Sequence, residues 1–487
     1  MKRRSLPLLA AAALVLAGTA MPARAQLSDH AQLLAAVDGR AAQIAGMSRA
    51  IWGFAEQGYQ ETKSTALLQQ ELRKAGFSVT AGVAGMPTAF VASYRRGKGG
   101  SVIGILAEFD ALPGLAQKAV PERSPIAGQA AGHGCGHNLF GAASVGAAIA
   151  LKGWMDANGV EGEIRVYGTP AEEGGGAKVY MARAGLFDDV DAVLHWHPGD
   201  SSSAAQSLAM ANVSGKFRFH GVSAHAASHP DLGRSALDGV EVMDVAVNAM
   251  REHVPETVRI HNIITSGGSA PNVVPDFAES YYYVRDWDPA IVRQVLGRVR
   301  KAADGAAMAT ETSVEFELIN GVFGLLPNDV LGRLADANLR EAGPPRWDDT
   351  DRAFADKLSK SLAEPRPIEE GQGVQPYSLG ERGAGSTDVG DVSWVVPTVG
   401  IRVATYPAGT SAHSWQAVAS AGSPFGEKGA VVAAKTLVLT AADLMRDPAK
   451  VKAARAEFDR RRGPGFAYQP LVGDRSPPLD YRRKAGE

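Results

Sequence analysis

The chain has a single cysteine among its 487 residues, so no disulfide can form within it. Its formal net charge is only −2 at pH 7. A protein that binds nucleic acid needs a basic excess to displace the counterions of the phosphates, so no such partner is expected. After residue 25 no apolar run reaches the ~20 residues that a membrane-spanning helix requires. What remains is a globular chain whose length predicts two or more domains.

The first 25 residues have the pattern of a signal peptide. Three basic residues at positions 2–4 precede an apolar stretch at 6–16, and Ala23-Arg24-Ala25 gives the small-x-small pattern of a cleavage site. The apolar stretch is too short to serve well as a membrane anchor, which is the other interpretation. We therefore expect cleavage near Ala25 and a periplasmic or secreted protein without membrane contact.

Strand and helix patterns alternate in the mature chain. The residues from Val102 to Ala107 form an apolar run typical of a buried strand, and those from Leu139 to Leu151 predict a helix of small residues. Apolar residues recur every three or four positions from Leu33 to Phe54, which predicts one amphipathic helix. The alternation indicates an α/β domain with a largely buried sheet.

Between residues 212 and 323 the pattern changes to the order βαββαβ, the ferredoxin-like arrangement. A unit of this kind within an α/β domain predicts an inserted lid or dimerisation domain. The stretch from 447 onward is charged and contains prolines, and no fold is predicted for it. The predicted division is a signal peptide at 1–25, a discontinuous catalytic α/β domain at 26–211 and 324–446, the inserted domain at 212–323 and a C-terminal tail at 447–487.

The only cysteine lies in the glycine-rich stretch Gly132-His133-Gly134-Cys135-Gly136-His137. Thiolate and imidazole both bind borderline-soft divalent metals. The glycines allow the backbone to bring the side chains together without a steric penalty. A lone cysteine is often only a small buried apolar residue, but the flanking histidines favour metal binding here.

A second motif, Thr169 to Gly176, places Glu172 and Glu173 before three glycines. Two adjacent carboxylates repel each other, and a nearby cation would relieve that repulsion. The alternative interpretation is an ordinary acidic pair on the surface, but the three glycines that follow argue against it. Metal-assisted hydrolysis needs such a pair, with one carboxylate as a metal ligand and the other as a proton carrier.

Three more candidates follow predicted strands or precede a helix. Asp110 comes directly after the strand at 102–107 and either orients a metal-binding histidine or caps a turn. His195 and His197 share one face of a strand, so one or both can reach a metal, while a satisfied buried histidine is the alternative. His413 lies at a predicted helix start, where histidine is commonly a cap or a core residue.

Taken together, these motifs resemble the M20 family of metallohydrolases with two metal ions. Within it the chain is most similar to the amidohydrolase branch of the aminobenzoyl-glutamate utilisation B-subunit type. The resemblance covers nearly the whole mature chain to about Met445, and its matching stretches are Glu108 to Gly114, Gly132 to Gly141, Pro170 to Gly176, Trp196 to Pro198, Ser223 to Met243, Ala270 to Pro275, Ser386 to Trp394 and His413 to Gln416.

The resemblance implies a metallohydrolase domain with a mixed sheet flanked by helices, and two divalent ions bridged by Cys135. The terminal ligands it implies are His137, Glu173, His197 and His413, with His195 as the alternative to His197. It implies Glu172 as the general base. His225 of the inserted domain would contact the substrate carbonyl oxygen, in many relatives within the partner subunit's site, and Asn272 is a further substrate-binding candidate. Asp110 would orient one of the ligand histidines without binding a metal ion itself.

The sequence thus predicts a metal-dependent amidohydrolase that cleaves N-acyl or N-aroyl amino acids. Thiolate softness favours Zn²⁺, whereas the family resemblance favours Mn²⁺. A homodimer is expected, although the B-subunit resemblance leaves a heteromer with a related subunit open. One alternative is a dipeptidase or carboxypeptidase on the same fold. The other is a metal- or ligand-binding protein without turnover, which would have no need to retain Glu172 beside Glu173.

Overall fold

The computed structural model describes residues 22–482, with side chains from residue 29 onward. The predicted signal peptide lies outside the described residues, apart from its last residues, which begin the first helix. In chain order the helices are α1 (Pro22–Asp38), α2 (Ala41–Phe54), α3 (Thr62–Lys74), α4 (His137–Asn158), α5 (Ala177–Arg183), α6 (Ala236–Met250), α7 (Pro289–Ala309), α8 (Asp329–Ala342), α9 (Asp349–Ser359), α10 (Val389–Ser393), α11 (Trp415–Ala421), α12 (Pro424–Arg446) and α13 (Pro448–Arg462).

The strands form two main sheets and two small two-stranded ones. In chain order they are β1 (Ser78–Ala81), β2 (Phe90–Arg96), β3 (Val102–Ala107), β4 (Leu112–Pro113), β5 (Ala131–Gly132), β6 (Gly162–Gly168), β7 (Ala192–Gly199), β8 (Gln206–Leu208), β9 (Ala211–His220), β10 (Arg259–Ser266), β11 (Phe277–Asp286), β12 (Ser313–Val322), β13 (Leu379–Arg382) and β14 (Thr398–Ala404). No helix in the described part of the chain is both long and apolar enough to span a membrane.

The larger sheet has the strand order β1-β2-β6-β3-β7-β14 and forms what we call the main domain. Its strands β6, β3, β7 and β14 are parallel, while β1 and β2 run antiparallel to their neighbours. The sheet is therefore mixed, and β3 is buried along its whole length between flanking helices. The predicted α/β fold is confirmed. Parallel strands end at one edge of the sheet, which is where α/β proteins place their sites.

The second sheet has the order β10-β11-β9-β12, and all its pairs are antiparallel. With α6 and α7 it gives the βαββαβ arrangement that the sequence predicts. Alternate residues of β11, such as Tyr282 and Val284, pack beneath the helices, because side chains alternate across a strand. Their neighbours Tyr281, Tyr283 and Arg285 lie on the face that the helices leave open. We call this unit the inserted domain and keep the boundaries 212–323 as a proposal.

Two segments differ from the sequence-based expectation. The single helix expected from Leu33 to Phe54 is two helices, because α1 ends at Asp38 and α2 begins at Ala41. The stretch from 447 onward has no predicted fold, yet it contains α13 and continues in contact with both domains as far as Arg482. Although this stretch is rich in charged residues, it also contains apolar residues such as Phe458 and Val472, which are buried.

Candidate metal centre

The loops that carry the predicted donors meet at the carboxyl edge of the parallel strands. Asp110 follows β3, the Glu172-Glu173 turn follows β6, and His197 lies near the end of β7. Cys135 and His137 stand at the start of α4, directly beside them. Four separate segments of sequence therefore converge on one small region.

Cys135 belongs to two groups of metal-ligating side chains at once. One group joins it to His137 and His197, the other to Glu173 and His413, and within each group the donor atoms all lie within 4.8 Å of one another. The Cys135 Sγ is 3.6 Å from His197 Nε2. Burial raises the pKa of the Cys135 thiol, and Glu173 adds to the effect. A thiolate at this position therefore needs neighbouring cations.

His137 is held by a carboxylate on its far side. Its Nδ1 lies 2.8 Å from Asp110 Oδ1, so Nδ1–H donates to Asp110 and Nε2 points toward the other donors. Burial alone would lower the pKa of His137, but Asp110 and Glu108 raise it well above the ordinary value. These carboxylates favour positive charge at the imidazole, which a divalent ion beside Nε2 would supply.

Several donor atoms at this place are buried without a hydrogen-bond partner, namely Glu108 Oε2, His137 Nε2 and Glu173 Oε1. His137 Nε2 lies 3.1 Å from Glu108 Oε2, but the angles do not make a hydrogen bond. Buried polar atoms are normally satisfied, so unpartnered atoms within these donor groups fit bound cations. The residues present therefore fit a pair of divalent ions.

The structure separates the two histidines of β7. The Nδ1 of His197 donates to the Pro198 carbonyl oxygen at 2.7 Å, which leaves Nε2 for a metal. His195 is in none of the three donor groups found among the described residues. Burial lowers its pKa to about 3, with Lys178 adding to the effect. The geometry thus favours His197 over the alternative that the sequence leaves open.

His413 precedes α11, whose N-cap is Ser414 and not the histidine itself. Its backbone has φ of 60°, which is uncommon for a residue with a side chain. Its amide donates to the Gly134 carbonyl, next to Cys135. Its Nε2 lies 3.2 Å from Glu173 Oε1. The unusual backbone conformation therefore brings the side chain to the donor group, as backbone outliers often do at functional sites.

The turn with the two glutamates has an unusual backbone as well. Ala171 has φ of 55° and Gly174 has φ of 111°. The Glu173 amide donates to Asp110 Oδ2 at 2.9 Å, so Asp110 holds both this turn and His137. Glu172 forms a third donor group with Glu108 and His137. Burial and the nearby carboxylates, Glu108 first, raise the pKa of Glu172 well above its usual range.

A buried lysine lies behind these carboxylates, and sequence reasoning missed it. Lys178 is fully buried, and its Nζ lies 2.7 Å from Glu108 Oε1 and 2.7 Å from Asp388 Oδ1. Burial alone would lower its pKa, but Asp388 and Glu108 raise it, so the ammonium stays charged. The signal available in the sequence was a lysine in an otherwise apolar segment directly after the three glycines.

A cavity of about 730 Å³ opens beside Glu172, Glu173 and His413. One wall is the open sheet face of the inserted domain, with Lys216, Tyr281, Tyr283 and Arg285 among its lining residues. Another wall comes from the C-terminal segment, through residues that include Tyr481 and Arg482. The cavity thus lies between both domains and the donor groups.

The structure does not bring His225 and Asn272 to the donor groups of their own chain. Both are exposed, and neither lines this cavity. They share one loop region, where the Ala226 amide donates to the Asn272 carbonyl oxygen. His225 Nδ1 accepts from the amides of Ala227 and Ser228 at 3.2 Å each. Because Nδ1 accepts, the neutral ring carries its proton on Nε2.

A profile of Peptidase family M20/M25/M40 matches residues 104–446. The chain is 38% identical over 437 residues to the B-subunit of p-aminobenzoyl-glutamate hydrolase from Escherichia coli, across 84% of this chain and 90% of that protein. It is 30% identical over 440 residues to the Xaa-Arg dipeptidase of Mus musculus, across 87% of this chain and 90% of that protein.

A solved structure from Bacillus subtilis, described as a dinuclear metal-binding peptidase of the M20 family, matches with a TM-score of 0.58. The two chains are 17% identical, and the match covers 84% of this chain and 99% of the other. At that identity the likeness shows the fold. Because the family profile matches well over half of the residues and a relative above 30% identity extends over most of them, this chain belongs to Peptidase family M20/M25/M40 and is a hydrolase of that family.

Proposed function

We propose that this protein is an amidohydrolase with two metal ions that cleaves N-acyl or N-aroyl amino acids. The observation that carries the proposal is the position of Cys135, which is shared by two groups of donors beside Glu172. One shared donor between two terminal pairs would hold two ions side by side, as in two-metal hydrolases.

Cys135 would bridge the two ions. His137 and His197 would complete one site, and Glu173 and His413 the other. Asp110 holds the ligand imidazole of His137 and the Glu173 amide, so it would support both sites from behind. Two Zn²⁺ or two Mn²⁺ ions fit this set, since thiolate favours zinc and carboxylate with imidazole accepts either.

When bound, such ions would polarise the substrate carbonyl and make an adjacent water more acidic. Glu172 would take the proton of that water and pass it to the leaving nitrogen of the amide. The raised pKa of Glu172 suits this role, because a carboxyl group that both accepts and returns a proton works best near the operating pH. Exposed His225 would donate from Nε2–H to the carbonyl oxygen.

The cavity supports an amino acid with an aromatic acyl group as substrate. Arg285 lies on the sheet face that lines it, where its guanidinium, with a buried Nε that has no hydrogen-bond partner, would bind a carboxylate; the neighbouring Lys216 is already paired with Glu279. The rings of Tyr281 and Tyr283 share that face and would contact an aromatic group. The Escherichia coli relative is named for hydrolysis of p-aminobenzoyl-glutamate, a compound with both features.

A dipeptidase is the second candidate, because the mouse relative is an Xaa-Arg dipeptidase. A panel of N-aroyl amino acids and dipeptides, assayed with protein reconstituted with Mn²⁺ or Zn²⁺, separates the two. Faster hydrolysis of the dipeptides would replace the first candidate with the second.

The role of Glu172 is tested by Glu172→Gln. This variant should bind two metal ions as the wild type does but lose 10²–10⁴-fold or more in turnover, because only the base is removed. The matched control is Glu173→Gln, which should lose metal at one site. Near wild-type turnover of Glu172→Gln would refute the assignment, and loss of turnover from both variants without loss of metal from Glu173→Gln would refute the ligand set.

We further propose a homodimer of an exported protein. Strand β10 is an edge strand of the inserted domain, and it exposes Ile263 and Ile264, which a second copy would cover. His225 would then complete the site of the partner, which fits its distance from the donor groups of its own chain. The Escherichia coli relative is a B-subunit, which also supports a heteromer with a related subunit.

Mixing inactive His225→Ala with inactive Glu172→Gln tests the dimer proposal. If His225 acts across the interface, subunit exchange restores one intact site in each mixed dimer. A verified mixed dimer that stays inactive places His225 in its own subunit, and a monomer at assay concentration rejects the proposal. Fractionation of cells that express the full chain tests the periplasmic or secreted location.

A further inference from the structure

The C-terminal segment at 463–482, here called the C-terminal strap, lies beyond the part of the chain that matches the family profile. It follows α13 and runs across both domains. Leu471 packs into the core of the inserted domain, whereas the next residue, Val472, packs into the core of the main domain. Adjacent side chains in two different cores fix the path of the strap at this point.

Hydrogen bonds hold the strap on both sides. Arg293 of α7 in the inserted domain donates to the Gln469 carbonyl oxygen at 2.9 Å. Arg183 of α5 in the main domain donates to the carbonyl oxygens of Gly473 and Arg475 at 2.7 and 2.8 Å. These hydrogen bonds fix the strap to both domains before its end reaches the donor groups.

The end of the strap lies on the turn that carries Glu172 and Glu173. The hydroxyl of Tyr481 donates to the Glu173 carbonyl oxygen at 3.2 Å, and Arg482 Nη2 donates to the same oxygen at 2.5 Å. Two side chains from outside the family domain therefore satisfy the backbone of a candidate metal ligand.

The surroundings of Tyr481 are shaped to receive it. Its ring packs edge-on against Tyr59 at 5.8 Å between centroids, and the hydroxyl of Tyr59 donates to the Gly175 carbonyl oxygen of the same turn at 2.9 Å. A Cβ atom at Gly58 would collide with the Tyr481 hydroxyl and lie 2.9 Å from the Ala171 Cα, so Tyr481 and the turn together leave room only for glycine. Tyr59 and Tyr481 thus clamp the turn from one side.

The turn needs such support. Ala171 and Gly174 both have positive φ, and Ala171 pays a steric cost for it. A short loop under strain keeps one conformation only when its surroundings determine it. We propose that Tyr481 and Arg482 are positioning residues that fix the Glu172-Glu173 turn, and through it the ligand Glu173 and the base Glu172. The inference rests on the proposed function for the roles of those two glutamates.

The test compares Tyr481→Phe, Arg482→Ala and the double variant with the wild type, using Co²⁺ as the probe. Metal-free protein is titrated with Co²⁺ and followed by its visible absorption, which reports the ligands of each ion. The double variant should bind one of its two Co²⁺ ions 10–100-fold more weakly, the usual effect of losing support behind a ligand. Its kcat should fall by a larger factor than its KM rises, since both side chains also line the cavity, and Arg482→Lys should recover part of the loss in kcat.

Two variants elsewhere in or against the strap serve as matched controls. Tyr468→Phe removes a tyrosine hydroxyl that donates to Asp391 at 2.7 Å, and Arg293→Ala removes an arginine contact to the strap backbone. Neither touches the Glu172-Glu173 turn, so both should bind Co²⁺ as the wild type does. Equal Co²⁺ affinities in all variants, or equal losses in the controls, would overturn the proposal.

The experiment also separates this inference from the proposed function. If the wild type binds two Co²⁺ ions but hydrolyses none of the amides tested, the proposed function fails while the titrations still decide the role of the strap. If the double variant does not fold, Tyr481→Phe alone decides it, because that change removes one oxygen atom and retains the ring. Unchanged Co²⁺ binding by that variant would then count against the proposal.

Discussion

Replacement of Lys178 by methionine should destabilise the protein far more than its side-chain size suggests. The ammonium group is fully buried and lies 2.7 Å from carboxylate oxygens of both Glu108 and Asp388. Lys178→Met keeps the volume but leaves two buried carboxylates without their cation. Loss of one partner of a buried ion pair costs about 3–5 kcal/mol, because the remaining charge is neither hydrated nor paired.

The loss should depend on pH in a defined direction. Burial already raises the pKa values of Glu108 and Asp388 while Lys178 partly offsets it, and the variant removes that offset. A carboxyl group with a pKa higher in the folded than in the unfolded chain favours folding at low pH and opposes it as pH rises. The destabilisation should therefore be smaller at pH 5 than at pH 8.

The assay is chemical unfolding of chelator-treated protein at both pH values, with Lys74→Met as the control. Lys74 also lies 2.7 Å from a carboxylate oxygen, that of Glu71, but its side chain is 59% exposed. An exposed ion pair contributes only about 0–1 kcal/mol to stability. The control therefore has the same N–O distance as the Lys178 pairs and differs from them in burial. Equal losses in the two variants, or a loss for Lys178→Met that shrinks as pH rises, would refute this account.

Three further outcomes are expected. Cys135→Ser should lower the metal content measured by atomic emission, because a hydroxyl bridges poorly at neutral pH; full occupancy would show that the thiol is structural. Asp110→Asn should weaken metal binding 10–100-fold in calorimetric titration, and unchanged affinity would contradict its supporting role. The pKa of His30 is raised to about 9 by its hydrogen bonds, to Asp443 first and then to Glu341. His30→Gln should therefore cost on the order of 3 kcal/mol below pH 6.5, a cost that disappears as pH rises through 9, and a loss that is constant with pH would contradict it.

The sequence predicts the parts of this structure that depend on local pattern. Apolar runs and helical periods locate β3, α4 and the six elements of the inserted domain. The donor motifs at Cys135 and Glu172 are recognisable because each packs unusual residue types into a few glycine-rich positions. Strand ends that share one edge of a sheet then bring those motifs together.

Long-range pairing is what the sequence does not predict. Nothing near Lys178 indicates that its second partner is Asp388, because the pair forms only when α5 meets α10. His195 and His197 share one face of β7, so periodicity cannot decide between them, and only their packing favours His197. The strap is missed because its charged and proline-rich composition resembles a disordered tail, although Leu471 and Val472 anchor it in two cores.

The sequence separation between Lys178 and Asp388 also affects how the chain folds during synthesis. They are 210 residues apart, and the whole inserted domain lies between them. A chain that emerges from its N-terminus completes the contiguous β9–β12 unit while β7 still lacks its neighbour β14. Until then the β7 edge is unpaired, and such an edge recruits other chains. Nascent chains stopped before residue 388 should therefore carry the β9–β12 unit, still without Leu471 in its core, on an aggregation-prone main domain.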